Sequence, residues 1–266
     1  MKVYETGNIR NVVVMGHGGC GKTTLVEAIA YQTGITARMG KMTDGNTISD
    51  YDKEEQKRQF SISTSVVPVE FEDIKINFLD TPGYFDFVGE VEEACHAAGA
   101  AVIVINGKSG VEVGTLKAWE LCEKYKLPRL FFVTGMDDDQ ASYRKIVLEL
   151  NDRFGRKVAP FHVPIRENEK FVGFVNVVKM KGRRFINDTS EYEECDIPDY
   201  MDKHLNISRD ALVEAVADTS EELMERYFAG EEFTYEEVST ALRTHVMDCQ
   251  IVPVLVGSGI HNQGTS

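Results

Sequence analysis

Basic charge, long apolar runs and paired cysteines are all scarce in this 266-residue chain. Its 29 Lys and Arg face 43 Asp and Glu, and the formal net charge of −14 argues against nucleic-acid binding through a broad basic face. The excess is uneven: residues 158–266 hold 10 basic against 20 acidic residues, whereas residues 1–157 hold 19 against 23. The five cysteines, Cys20, Cys95, Cys122, Cys195 and Cys249, are scattered and form no C-x-x-C pair. Neither a disulfide framework nor a zinc site is indicated, and a reducing cytosol fits. The longest apolar stretch, 97–105, is far too short to cross a bilayer, and no apolar signal segment opens the chain. The glycosylation-type triplets at Asn187 and Asn206 therefore carry no weight. The length allows one large α/β domain or a domain with an inserted subdomain.

What is present begins at residues 16–24, Gly16-His17-Gly18-Gly19-Cys20-Gly21-Lys22-Thr23-Thr24, between the apolar run 12–15 and a helical pattern. This is a complete phosphate-binding spacing. Gly18, Gly19 and Gly21 permit a backbone that turns successive N–H groups inward at a helix N-terminus, where phosphate oxygens are bound. Lys22 adds a charge for the β- and γ-phosphates, and the Thr23 hydroxyl suits Mg²⁺. The loop specifies a nucleotide without saying which.

In chain order, residues 10–15 read as a buried strand and 22–33 as a helix stopped by Gly34. Residues 35–61 lose apolar periodicity and read as a long mobile loop with a short helix near 51–57. Runs 66–71 and 74–79 form a hairpin around Glu72-Asp73, ending in Asp80-Thr81-Pro82-Gly83. After a phosphate loop, such an aspartate at a strand's carboxyl end is placed to hold Mg²⁺ through water, with the Gly83 N–H toward a γ-phosphate. Strands at 100–105 and 129–133 and helices at 113–125 and about 140–153 complete an alternating pattern. It predicts an α/β fold with a mostly parallel sheet, helices on both faces and ligands at the strands' carboxyl ends. Further on, 171–178 and 180–185 read as paired strands, and helices start near Ser208, Thr219 and Thr234. The last two carry Thr-x-x-Glu capping boxes to Glu222 and Glu237, and 251–256 returns to the main sheet as its last strand.

This ordered set resembles the translational GTPases. More narrowly, Arg58-Gln-Phe-Ser-Ile-Ser, Asp80-Thr-Pro-Gly-Tyr-Phe-Asp-Phe-Val-Gly-Glu-Val and Ser109-Gly-Val-Glu-Val are similar to elongation factor G. Likeness continues through Val163-Pro-Ile, Val177-Val-Lys-Met and Ser220-Glu-Glu-Leu-Met-Glu-Arg-Tyr to Val256-Gly-Ser-Gly, over essentially the whole chain. The resemblance implies a P-loop NTPase fold with a GTP-binding domain in residues 1–157 and 251–266 and an inserted α+β subdomain in 158–250. The family continues with a final helix and further domains, so the resemblance implies an amino-terminal fragment. It also implies GTP and GDP as ligands, Thr23 and Ser61 on Mg²⁺ directly and Asp80 through water, and Gly83 as the γ-phosphate sensor. Thr134, Asp137, Ser258 and Gly259 would surround the base. A cytoplasmic monomer acting on the ribosome is expected, with the ribosomal stalk protein as a partner and little affinity of the fragment alone for RNA.

Three positions depart from the family pattern. Tyr84 stands where the family has the histidine that orients the attacking water; a phenol cannot carry that charge or shuttle a proton near neutrality, so slow hydrolysis is expected. The bland alternative for Tyr84 is hydrophobic packing. Thr134-Gly135-Met136-Asp137 replaces Asn-Lys-x-Asp, keeping the base-reading carboxylate and losing the lysine stem. Gly19 stands where an aspartate is frequent. A translocation-type GTPase, a ribosome-protection or rescue factor, a nucleotide-gated module without turnover and an ATP-using enzyme all remain open.

Overall fold

The computed structural model describes residues 2–186 and 190–265. The Asn187 triplet lies outside them. The first half of the chain forms β1 (Ile9–Gly16), α1 (Lys22–Gln32), α2 (Lys53–Arg58), β2 (Ser65–Phe71), β3 (Ile74–Asp80), α3 (Val88–Ala97), β4 (Ala100–Asn106), α4 (Val113–Tyr125), β5 (Arg129–Thr134) and α5 (Tyr143–Phe154). The second half forms β6 (Val158–Pro160), β7 (His162–Glu167), β8 (Lys170–Asn176), β9 (Lys181–Phe185), β10 (Tyr192–Cys195), α6 (Asp202–Ala217), α7 (Glu221–Phe228), α8 (Tyr235–Met247) and β11 (Val252–Val256).

A seven-stranded sheet runs β2-β3-β1-β4-β5-β11-β6. All its pairings are parallel except β2 on β3. The central strands are near-continuous apolar runs because both sheet faces are covered, with polar residues such as Arg10, Asn106, Arg129 and Thr134 toward their ends. Val13, Met15, Ile103, Ile105, Phe131 and Val133 enter one core, and Val14, Val104 and Phe132 enter the other. Side chains alternate across a strand, so this split into two cores is the α/β arrangement with both sheet faces covered that the sequence pattern predicts. A second, antiparallel sheet runs β10-β9-β8-β7. Its Val163, Ile165 and Phe174 share the first core with Leu212 of α6 and Val254 of β11.

Several boundaries differ from the sequence reading, each for a local reason. Val158–Pro160, assigned above to the inserted subdomain, is the edge strand of the seven-stranded sheet. Strand β11 is consequently internal, between β5 and β6. Helix α3 was not anticipated, although its inward residues Val91, Ala94 and Cys95 stand at helical spacing. Helix α5 starts at Tyr143 because Asp138 closes a turn first, accepting the Gln140 N–H on its side chain at 2.8 Å and the Ala141 N–H on its carbonyl at 3.1 Å. Helix α6 starts at Asp202, six residues before Ser208. The α7 cap is Ser220, whose hydroxyl accepts the Leu223 N–H, while Thr219 donates to the Val216 carbonyl at 2.7 Å. The Thr234–Glu237 capping box on α8 forms as expected.

Candidate nucleotide site

The phosphate loop joins β1 to α1 at the carboxyl edge of the parallel strands. Its φ values of +147° at Gly16, +78° at Gly19 and +99° at Gly21 belong to a region that other residues rarely occupy. Gly18, expected to share that role, does not have a positive φ, and a Cβ there would make only ordinary contact with the Tyr84 ring at 3.6 Å. Gly83 packs so closely that its Cβ would stand 2.7 Å from the Gly18 Cα and clash with Lys22 Nζ. Lys22, buried at 5% exposure, donates to the His17 carbonyl at 3.0 Å and the Gly16 carbonyl at 3.2 Å. The start of α1 leaves its first-turn N–H groups facing the loop, as an anion requires.

His17 contributes backbone only, because its ring turns outward. Its Nδ1 accepts the Gly114 N–H at 3.3 Å, Nε2 lies 3.5 Å from Glu112, and the ring meets Phe85 edge-on. Cys20 is buried, and burial pushes its thiol up, which makes it inert. Its carbonyl accepts the Thr134 hydroxyl at 2.7 Å. Thr134, a weaker partner for the loop than asparagine on sequence grounds, therefore ties β5 directly to it.

At the other end, the Thr23 and Ser61 hydroxyls meet at 3.2 Å, and Ser61 donates to Asp50 at 2.7 Å. Asp80 is 1% exposed, and both its carboxylate oxygens are buried without a hydrogen-bond partner among the described residues. Burial pushes Asp80 up to about 6, against the Thr23 and Ser49 hydroxyls and the Lys22 charge, which pull it down. Two hydroxyls beside an unsatisfied buried carboxylate fit a hard divalent cation such as Mg²⁺. No group of three His, Cys, Asp or Glu among the described residues could hold a metal, so the hydroxyls are essential to that fit. Asp50 was missed by sequence reasoning. Its carboxyl is raised mainly by burial and opposed by Ser61. An aspartate inside an aperiodic loop looks like a solvated one until the chain folds.

Tyr84 stands at the mouth of the loop and is 48% exposed. Its ring packs on Phe60, centroid to centroid 4.7 Å at 57°, and against Gly18. The packing alternative is thus partly realised, with the phenol still open to solvent.

At the base end, Met136 is fully buried and its N–H donates to the Gly257 carbonyl, which fixes the turn around Gly135. Asp137 Oδ1 is buried without a partner among the described residues, and Oδ2 lies 3.7 Å from His261 Nε2. His261 was not foreseen. Ser258 is fully buried and exchanges backbone hydrogen bonds with Gln263 at 2.9 Å. Gly259 packs on Thr24 of α1, where a Cβ would meet Thr24 Cγ2 at 3.1 Å. The fold thus brings the sequence-predicted residues to one edge, with the phosphate loop in the middle. An apolar cavity of about 460 Å³ beside Tyr143, Leu148, Tyr200 and Ile207 contains none of them.

Fold and site together define a phosphate-loop nucleotide-binding domain. The family model described as the elongation factor Tu GTP binding domain matches residues 7–266. The chain belongs to that family and is the GTP-binding domain of a translational GTPase. Among solved structures, a crystal structure from Thermus thermophilus is similar over 97% of this chain at 36% identity and a TM-score of 0.88. The chain spans 38% of that relative's length. Among the described residues, no helix is long and apolar enough to cross a membrane.

Proposed function

We propose that the chain is the guanine-nucleotide-binding domain of an elongation factor G-like protein that acts on the ribosome in the cytoplasm, with slow intrinsic hydrolysis. The observation that supports this most is the pair of carboxylates flanking the phosphate loop: Asp80 at the end of β3, buried with both oxygens unpartnered among the described residues, and Asp137 just beyond β5, half-buried with Oδ1 unpartnered among them. The loop N–H groups and Lys22 hold the phosphates, and the Gly83 N–H meets the γ-phosphate. Thr23 and Ser61 would ligate Mg²⁺ directly and Asp80 through water; when bound, the ion neutralises charge on the β- and γ-phosphates. Asp137 accepts from guanine N1 and the exocyclic amine, a pairing adenine lacks, and the Ser258 and Gly259 amides face O6.

Binding groups serve ground and transition states alike, so an intact loop does not by itself lower the barrier. The group nearest the attacking water is Tyr84, whose phenol cannot exchange a proton as imidazole does. Its ring is held by Phe60 and Gly18, which favours a second reading, a nucleotide-gated ribosome-binding module without turnover. A ribosome-protection or rescue factor would share the same domain. The chain is a monomer, meets the ribosomal stalk protein through the inserted subdomain, and binds naked RNA weakly because its net charge is −14.

Single-turnover GTP cleavage by the full-length protein with ribosomes tests the claim about turnover. Tyr84→His is expected to accelerate cleavage by about 100-fold, the lower end of what a positioned proton-transfer group supplies. Equal rates, as fast as a histidine-bearing elongation factor G, would remove position 84 from the account.

A further inference from the structure

The segment between α1 and β2, aperiodic in sequence, is held by three carboxylates that no role above uses. Glu27 of α1, 2% exposed, accepts the Gly40 N–H at 2.7 Å on one oxygen and the Ile48 N–H at 2.8 Å on the other. Glu90 of α3 accepts the Thr64 N–H at 2.7 Å, and Thr64 donates back to the Glu90 carbonyl at 3.1 Å. These two secure the ends. Glu55 of α2 is different: it is 2% exposed and grips the segment on both sides of the cation corner. Its Oε1 accepts the Ile62 N–H at 2.9 Å and the Ser63 N–H at 3.1 Å, and its Oε2 accepts the Asp52 N–H at 3.2 Å.

Asp50 and Ser61 are the residues this grip brings together. They stand eleven positions apart, yet Ser61 donates to Asp50 and its hydroxyl reaches Thr23. Ile62 adjoins Ser61, and Asp52 is two residues from Asp50, so one carboxylate fixes the backbone beside both. Three backbone N–H groups from the two sides converge on this one buried carboxyl group. The capping box between Asp52 and Glu55 adds the helix α2 N-terminus to the same clamp.

We infer that Glu55 is a positioning residue for the metal–triphosphate state: it delivers the Ser61 hydroxyl to the cation held by Thr23. The inference rests on the Mg²⁺–nucleotide reading above and touches neither nucleotide nor metal itself. Ser61 sits in a long connection whose free chain would sample many conformations, and fixing its backbone costs conformational entropy. Glu55 supplies that fixing before any ligand arrives.

The test uses the 266-residue chain in four forms: natural, Glu55→Ala, Glu55→Gln and Ser61→Ala, with the Glu55→Ala/Ser61→Ala double variant closing a cycle. Glu55→Gln keeps the carbonyl oxygen that Ile62 and Ser63 use. Binding of a fluorescent, non-hydrolysable GTP analogue is followed while Mg²⁺ is titrated. Glu55→Ala is expected to raise the Mg²⁺ midpoint about tenfold, as Ser61→Ala does, with no further rise in the double variant, because coupled residues do not add. Glu55→Gln, which keeps the acceptor for Ile62 and Ser63 but turns an amide N–H toward the Asp52 N–H, should lie between the natural chain and Glu55→Ala. Without nucleotide, the Ile62 and Ser63 amides should lose exchange protection in Glu55→Ala and keep it in Glu55→Gln. A normal midpoint in Glu55→Ala, or full additivity with Ser61→Ala, overturns the inference and leaves the parent reading standing. A natural chain that binds no triphosphate overturns both.

Discussion

Replacing Asp80 with asparagine should make the ligand-free protein more stable while removing its Mg²⁺-dependent function. Asp80 is buried, neither oxygen has a partner among the described residues, and burial lifts it from 3.8 to about 6. Near pH 7 the folded chain therefore ionises this group against a shift of about 2 units, and at about 1.4 kcal/mol per unit the penalty is about 3 kcal/mol. An amide carries no such charge but leaves its own polar atoms poorly paired, so the net gain is about 1–2 kcal/mol. For a chain of this size that is a rise of about 3–6 °C in Tm. The sign with pH follows from the raised folded value. The contribution of Asp80 to stability is fully present below 3.8 and is lost as pH rises through about 6. The natural chain, in chelator and without nucleotide, should close the gap to Asp80→Asn as pH falls from 7 to 5. Urea unfolding at both pH values measures this, and adding Mg²⁺ and GTP should then stabilise the natural chain alone. A variant less stable than the natural chain at pH 7, or a gap that does not change with pH, would refute the reasoning.

Two other substitutions probe the frame around the site. His162 stacks on Phe174 at 4.1 Å, with a buried, unpartnered Nδ1, and burial beside Arg183 pulls it down to about 3. Its contribution is present above 6.5 and lost as pH falls toward 3, so His162→Leu should outlast the natural chain by about 1–2 kcal/mol at pH 5 in urea unfolding, after allowing for its partial exposure. Thr134→Val removes the 2.7 Å donation to the Cys20 carbonyl and should weaken nucleotide binding and lower stability by about 1–3 kcal/mol, read by calorimetry and urea unfolding; an unchanged chain would mean the tie is idle.

The sheet and the phosphate loop were legible because their signals are local. A valine run between a charged start and a glycine loop, then a helical run stopped by Gly34, leaves few alternatives. The Glu72-Asp73 hairpin and the Thr234–Glu237 box were legible for the same reason. Strand β6 was not, since three residues with a proline carry no periodicity and acquire meaning only by pairing with β11 some ninety positions later. Asp50, Glu55 and His261 were missed because their roles depend on contacts across a loop, where composition reports only polarity. Gly18 shows the limit from the other side: the spacing read it as a backbone requirement, but its φ is not positive and a Cβ there would make ordinary contact.

The central claim is that Asp137, with Ser258 and Gly259, reads guanine while Gly16–Thr24 holds the phosphates. Calorimetric titration of the chain with GTP, GDP and ATP in Mg²⁺, repeated for Asp137→Ala, tests it most directly. Guanine nucleotides are expected to bind more tightly than ATP by about 1–3 kcal/mol, the range for a bidentate base contact, and Asp137→Ala should erase that difference. Equal affinity of the natural chain for ATP and GTP, or a guanine preference that survives Asp137→Ala, would contradict the account.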